Sequence, residues 1–360
     1  MGTVNTDIIL ARFPGLVTWH SGNKSATAHT PCSSTNPARN GLCFCQDQQD
    51  LDHCFSQGVS ILVVPPSLGD CAQALNPGSS AVLISDELQV AMARLNTEYF
   101  LPHWGRTPFG DDRIHPSAIV HPSARLHESV VVYPNAVIGP DVIIEEQTVI
   151  GANTTLEGNT TIGKRCFIKS NVFVGHSVQM GDDCRIEPQS SVGTDGYGYG
   201  SDKNGQHFAK PHFGKVIFED RVEIGCGVYV DRGTFDDTII GEGTKIDNYC
   251  HIAHNTTIGK NCLILAGFIT AGSSTFGDNC VFAGRVGVNG HVNVCDNVTV
   301  GPVSIITKNV TRPGMYGGFP LVPYKVFIKN QASSASLYDM RKSVNKLLGI
   351  IDVEKQDGEK

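Results

Sequence analysis

The sequence predicts a mainly β protein: a triangular parallel β-solenoid of about ten coils, preceded by a small α/β domain and followed by a C-terminal helix. Three observations predict it. Between Ile114 and Ile306 an aliphatic or similar residue falls on nearly every sixth position, as in Val132, Ile138, Ile144 and Ile150 and again in Ile240, Ile246, Ile252 and Ile258. Residues 1–108 lack that count and carry short apolar runs, Ile61–Val64 and Ala81–Ile84, instead. Past residue 323, Leu337, Met340, Val344, Leu347 and Leu348 follow helical spacing.

Neither the helical period of about 3.6 nor the strand period of about 2 selects every sixth residue, so the period belongs to a repeating coil. Three hexads make a coil of 18 residues, in which each aliphatic points inward and stacks on its equivalent one coil away. Glycines such as Gly139, Gly151, Gly163 and Gly259 read as the corners, where the chain must turn tightly. After Val192 the series resumes at Val216, Val222 and Val228, and only Thr234 and Thr270 break it further on. The intervening stretch, Gly193 to Gly214, reads as an external loop. Cys166, Cys184, Cys226, Cys250, Cys262 and Cys280 each fall four places after a hexad residue. Elsewhere that slot holds Ala, Thr or Ser, so these cysteines read as small buried side chains, not as disulfides or metal ligands.

The N-terminal domain, residues 1–108, reads as small and α/β, its second strand-like run leading into a helical stretch from Asp86 to Leu95. A breaker-rich segment, 102–110, serves as the linker to the solenoid at 109–312, and a second one, 313–323, leads into the helical extension that ends the chain at 360. Lys325, Lys329, Arg341, Lys342 and Lys346 make that extension basic within an acidic protein, which fits either a solvated helix face or a docking site for an acidic partner.

The 360 residues carry a formal net charge of −7, which offers no global basic surface and argues against a nucleic-acid partner. The first 30 residues show no secretory leader, and no apolar run approaches the roughly 20 residues that span a bilayer, so a cytoplasmic protein is expected. No metal or cofactor is expected either.

A filled prism has no internal cavity, so a ligand must bind on a face, under the loop or between neighbouring prisms. Histidine suits proton transfer there because its ordinary pKa lies near cellular pH. His115, His121 and His127 directly follow a hexad aliphatic and read as corner residues. His176 and His254 sit two places after theirs and His291 three; His254 and His291 share a face two coils apart.

The phrases Ile246-Asp-Asn-Tyr-Cys-His-Ile-Ala-His-Asn255, Val288-Asn-Gly-His291, Gly193-Thr-Asp-Gly-Tyr-Gly-Tyr199 and Val230-Asp-Arg-Gly233 closely resemble the UDP-3-O-acylglucosamine N-acyltransferases of lipid A synthesis. That resemblance implies a left-handed parallel β-helix assembled as a homotrimer. It also implies transfer of a 3-hydroxyacyl chain from acyl carrier protein to the 2-amino group of the UDP-sugar. The family's catalytic histidine falls on His254, its carboxylate partner on Asp247 and a second active-site histidine on His291. Tyr197 and Tyr199 fall in a loop that meets substrate, and Ile305 falls where the acyl pocket ends. The basic C-terminal helix would contact the acidic carrier protein.

The N-terminal domain would hold the uracil ring. There Phe44 matches the family's stacking ring, but Asp47 replaces an Asn and Asp50 replaces a Tyr, and a carboxylate supplies no stacking face. Three other readings stay open: an acyltransferase acting on another nucleotide sugar, a trimeric zinc enzyme of the γ-type carbonic anhydrase kind using His251 and His254, and a non-catalytic scaffold.

Overall fold

Sixth-residue spacing becomes three faces of a prism. In the computed structural model, which describes residues 2–76, 78–101, 110, 112–318 and 324–357, short parallel strands stack into sheets of ten, ten and nine. Their register steps by one coil, so that Val132 lies beside Ile150 and Ile138 beside Leu156. The stacked aliphatics form one continuous buried core. A single coil would leave its inward side chains half-exposed; a neighbour above and below completes the burial, at roughly 1.5–3 kcal/mol for each large aliphatic.

The corners turn differently from the expectation. The left-handed conformation falls on the third residue after most inward aliphatics, and there the chain uses side chains such as Asn135, Asp141, Asn153, Asn159 and Asn171, with φ between 55 and 60°. Short amides and carboxylates tolerate this region better than branched residues. Gly139, Gly151, Gly163 and Gly259 have ordinary φ. They are glycines for another reason: a Cβ on Gly151 would lie 2.4 Å from the carbonyl carbon of Lys169 in the next coil.

A second correction concerns register. Met180 pairs with Phe218, 38 residues on in place of 18, so the external loop adds 20 residues. The hexad residues after it are therefore Phe218, Ile224 and Val230, and Val216, Val222 and Val228, buried in the same core, take the small-residue slot instead. Phe218 then pairs with Ile240, 22 residues on, so four further residues follow Val230 and restore the count. Cys226 consequently sits two places after an inward residue and is half-buried, outside the small-residue slot. Cys166, Cys184, Cys250, Cys262 and Cys280 do fill that slot and are buried. His115, His121 and His127 occupy corners, each ring Nδ1 within 2.9 Å of the serine two residues on.

The chain divides into two units, Met1–Trp104 and Gly105–Lys360. The first is built on a five-stranded sheet in the order Thr18–Gly22, Ala81–Ile84, Ile61–Val64, Gly41–Phe44, Thr30–Cys32. The last four are parallel and the first is antiparallel at the edge. Alternation sends Leu42, Phe44, Ile61 and Val63 to one core and Cys43, Cys45, Leu62 and Val64 to the other. The expected helical stretch forms as Leu88–Phe100.

The segment read as a linker lies, but for Gly110, outside the described residues, as does 319–323. The C-terminal helix runs Tyr324–Asp357. Its Leu337, Met340, Val344, Leu347 and Leu348 are all exposed. Among the described residues, no helix is long and apolar enough to cross a membrane.

Candidate active site

On one face of the prism the outward residues of successive coils are Tyr229, His251, Ile269, Gly287 and Ile305, aligned in register. His254 stands at the corner beside this row, two residues after the buried Ile252. The 193–214 loop folds over that corner as a hairpin, Tyr199–Ser201 against His207–Ala209. Two glycines bring backbone against the imidazole. A Cβ on Gly196 of the loop would lie 2.8 Å from His254 Cβ, and one on Gly272 of the next coil 3.2 Å from His254 Cε1 and Nε2.

The network around His254 assigns its tautomer. Asn255 Nδ2 donates to the Asp236 carbonyl at 3.0 Å, and its Oδ1 accepts from Thr234 N at 3.0 Å, so the amide orientation is fixed. That Oδ1 lies 3.0 Å from His254 Nδ1, which must therefore carry the proton. Nε2, facing the Gly272 notch, keeps a lone pair.

Two residues that sequence reasoning passed over frame the same ring. His212, from the loop, packs edge-to-face on His254 with centroids 5.5 Å apart, and it is buried with neither ring nitrogen partnered among the described residues. Asp231 is buried with Oδ2 3.5 Å from His251 Nε2. Burial pushes its carboxyl above the ordinary range, an effect that His251, His254 and His212 partly offset. Asp231 could have been noticed, since Val230-Asp-Arg-Gly233 was already a marked phrase. His212 lies in the loop, where periodicity gives no signal. The neighbouring Arg232, 1% exposed, pins the loop: Nε donates to Gly193 O and Nη2 to His176 O, both at 2.8 Å. His176 is thereby a structural contact of Arg232.

Asp247 stands elsewhere. Its Oδ1 accepts from Asn248 N at 2.7 Å and its Oδ2 from Ala266 N at 3.1 Å, and within one chain it forms no ion pair with His254. Within the chain it is the carboxamide of Asn255 that meets His254 Nδ1. His291 lies two coils from His254, with its N donating to Gly272 O at 3.1 Å and its ring exposed. Tyr197 and Tyr199 lie 5.0 Å apart in the hairpin, and Tyr197 is 86% exposed. Ile305 ends the apolar row and is 72% exposed.

The N-terminal unit places Phe44 and Asp47 as follows. Phe44 is 6% exposed and packed in the core, so it presents no free ring face. Asp47 is the N-cap of the helix Gln48–Ser56, its Oδ1 accepting from Asp50 N at 2.9 Å.

Residues 114–197 match the family model for the GMPPB C-terminal domain, and 237–267 the model for the bacterial transferase hexapeptide of six repeats. The hexad solenoid is that of the hexapeptide-repeat acyltransferases, a left-handed parallel β-helix and an exception to the usual right-handed crossover. The chain is 38% identical over 347 residues to a UDP-3-O-acylglucosamine N-acyltransferase of Methylococcus capsulatus, covering 96% of each protein. The chain belongs to that family. Its likeness to the corresponding enzyme of Campylobacter lari is 43% over 141 residues, or 39% of this chain and 44% of the relative. Among solved structures, a UDP-N-acetylglucosamine O-acyltransferase from Moraxella catarrhalis aligns at 24% identity over 58% of this chain and 72% of its own, with a TM-score of 0.43.

Proposed function

We propose that this acyltransferase moves a 3-hydroxyacyl chain from acyl carrier protein to the 2-amino group of a UDP-3-O-acylglucosamine, with His254 as the general base. The observation that carries the reading is the fixed tautomer: with Nδ1–H bound by Asn255, Nε2 is the free base at the mouth of an apolar row. A sugar amine attacks a thioester as the neutral species, forming the C–N bond while one N–H proton must leave. His254 Nε2 takes that proton; the C–S bond then breaks, and the imidazolium returns the proton to the departing thiolate. No acyl-enzyme is needed.

His291, two coils along the same face, donates to the developing oxyanion or contacts the carrier's arm. Ile269, Gly287 and Ile305 suit a hydrocarbon chain, since Gly287 leaves a gap between two exposed isoleucines and Ile305 bounds it. Tyr197 and Tyr199 offer ring faces to the sugar nucleotide. The enzyme works as a homotrimer in the cytoplasm, and Asp247 serves the imidazole of a neighbouring copy. Buried Phe44 and helix-capping Asp47 give the N-terminal unit no evident uracil platform, so a nucleotide sugar with another base or headgroup is the second reading.

Purified protein given a UDP-3-O-acylglucosamine and a 3-hydroxyacyl carrier protein should yield the amide, identified by mass spectrometry. His254→Ala should slow it by about 10² to 10⁴. Full activity in that variant removes His254 as the base. A clear preference for another sugar nucleotide in a substrate panel moves the reading to the alternative.

A further inference from the structure

Away from the solenoid, the N-terminal unit gathers a set of thiols that the acyl-transfer chemistry does not use. Cys43 and Cys45 are two apart on the strand Gly41–Phe44 and its continuation, so both point to one side of the sheet while Phe44 points to the other. The helix Gln48–Ser56 packs over that side and lowers Cys54 onto them. Cys54 Sγ is 3.5 Å from Cys43 Sγ and 3.7 Å from Cys45 Sγ, and the three sulfurs lie within 4.8 Å of one another. All three residues are buried.

Plain packing explains the solenoid cysteines better than these. Each buried solenoid thiol meets a carbonyl oxygen of the next coil, as Cys166 does with Gly181 O at 3.2 Å and Cys262 with Gly277 O at 3.2 Å. The contacts of Cys43, Cys45 and Cys54 are with one another. A tetrahedral zinc site with Zn–S of about 2.3 Å sets its sulfurs about 3.8 Å apart, close to the spacing seen here. A disulfide needs about 2.05 Å, a closure that no pair of the three has made.

We propose that Cys43, Cys45 and Cys54 bind a thiophilic divalent cation, zinc(II), and that Cys32, whose Sγ lies outside the trio and donates to Leu42 O at 3.7 Å, turns in as the fourth ligand. Cys32 is the register partner of Cys43 across the parallel pair Thr30–Cys32 and Gly41–Phe44. Its sulfur occupies the space a Cβ on Gly41 would fill, 2.6 Å away, and the residue is half-buried, which gives the ion an entry side. The bound ion would tie the helix Gln48–Ser56 to the sheet, where no disulfide does so. This departs from the expectation of a metal-free chain.

The full chain, purified under reducing conditions and incubated with zinc, is analysed for metal and then for cysteine alkylation by peptide mass spectrometry. One zinc per chain is expected, lost in Cys54→Ser. In the wild type a chelator should expose Cys43, Cys45 and Cys54 to alkylation and lower the melting temperature, while the solenoid cysteines stay as protected as before. The alkylation arm needs no variant, so it decides the question even if Cys54→Ser folds poorly. Failure to take zinc from a chromophoric chelator, or a disulfide joining Cys54 to Cys43 or Cys45 in the reduced preparation, overturns the site.

Discussion

At His254 the decisive neighbour is the next residue in the chain. Asn255 is held at three points, by Asp236 O, Thr234 N and the imidazole itself, so its oxygen cannot swing away to let the tautomer reverse. Asn255→Ala removes the acceptor for Nδ1–H and lets Nε2 carry the proton for part of the time. The loss should fall on kcat, by about tenfold to a hundredfold, with KM little changed, because the ground-state contacts of the substrate survive. Steady-state kinetics on the purified variant check this; an unchanged kcat would mean that the tautomer is set elsewhere. His254 stands out in the sequence through its surrounding phrase. The residue that orients it does not, because assigning the role to Asn255 requires knowing that Asp236 and Thr234, from the four-residue insertion, come back to meet it. The same holds for His212, which reaches His254 only through the path of the loop.

A coil of the solenoid is specified by two kinds of position that look alike in sequence. Glycine directly after an inward aliphatic serves close approach between coils, and asparagine at the third place serves the left-handed turn. Gly151→Ala pushes a methyl into the Lys169 backbone and should cost about 1–3 kcal/mol. Asn153→Val places a branched side chain at φ 57° and should cost roughly 1–2 kcal/mol, whereas Asn153→Gly should be nearly neutral. Guanidinium midpoints order the three variants. A neutral Gly151→Ala would show that the coils can separate to admit a methyl group. The coil itself was legible from period alone, yet its register past the loop was not. Insertions of 20 and four residues together make four hexads, so the six-residue count appears uninterrupted on both sides. Burial gives no warning either: Val216, Val222 and Val228 are as buried as Phe218, Ile224 and Val230. Only strand pairing distinguishes the two sets.

A filled prism forces the whole molecule to find its substrate groove outside itself. Asp247 and His254 project from different corners of one chain, and the packed core between those faces keeps them from meeting. In a cyclic trimer the contact is heterologous, so a corner of one copy meets a different face of the next, and a site can draw on two chains. If Asp247 steadies the imidazolium of a neighbour, an Asp247→Asn chain and a His254→Ala chain are each inactive alone but carry complementary halves. Unfolded together and refolded at equal amounts, they should place an intact Asp247 against an intact His254 at about a quarter of the contacts. Activity should therefore return to roughly that fraction of the wild-type rate, with each variant refolded separately as the baseline. No recovery, in mixtures shown by native mass spectrometry to contain hybrid trimers, would mean that Asp247 acts within its own chain or only supports the fold through Asn248 and Ala266.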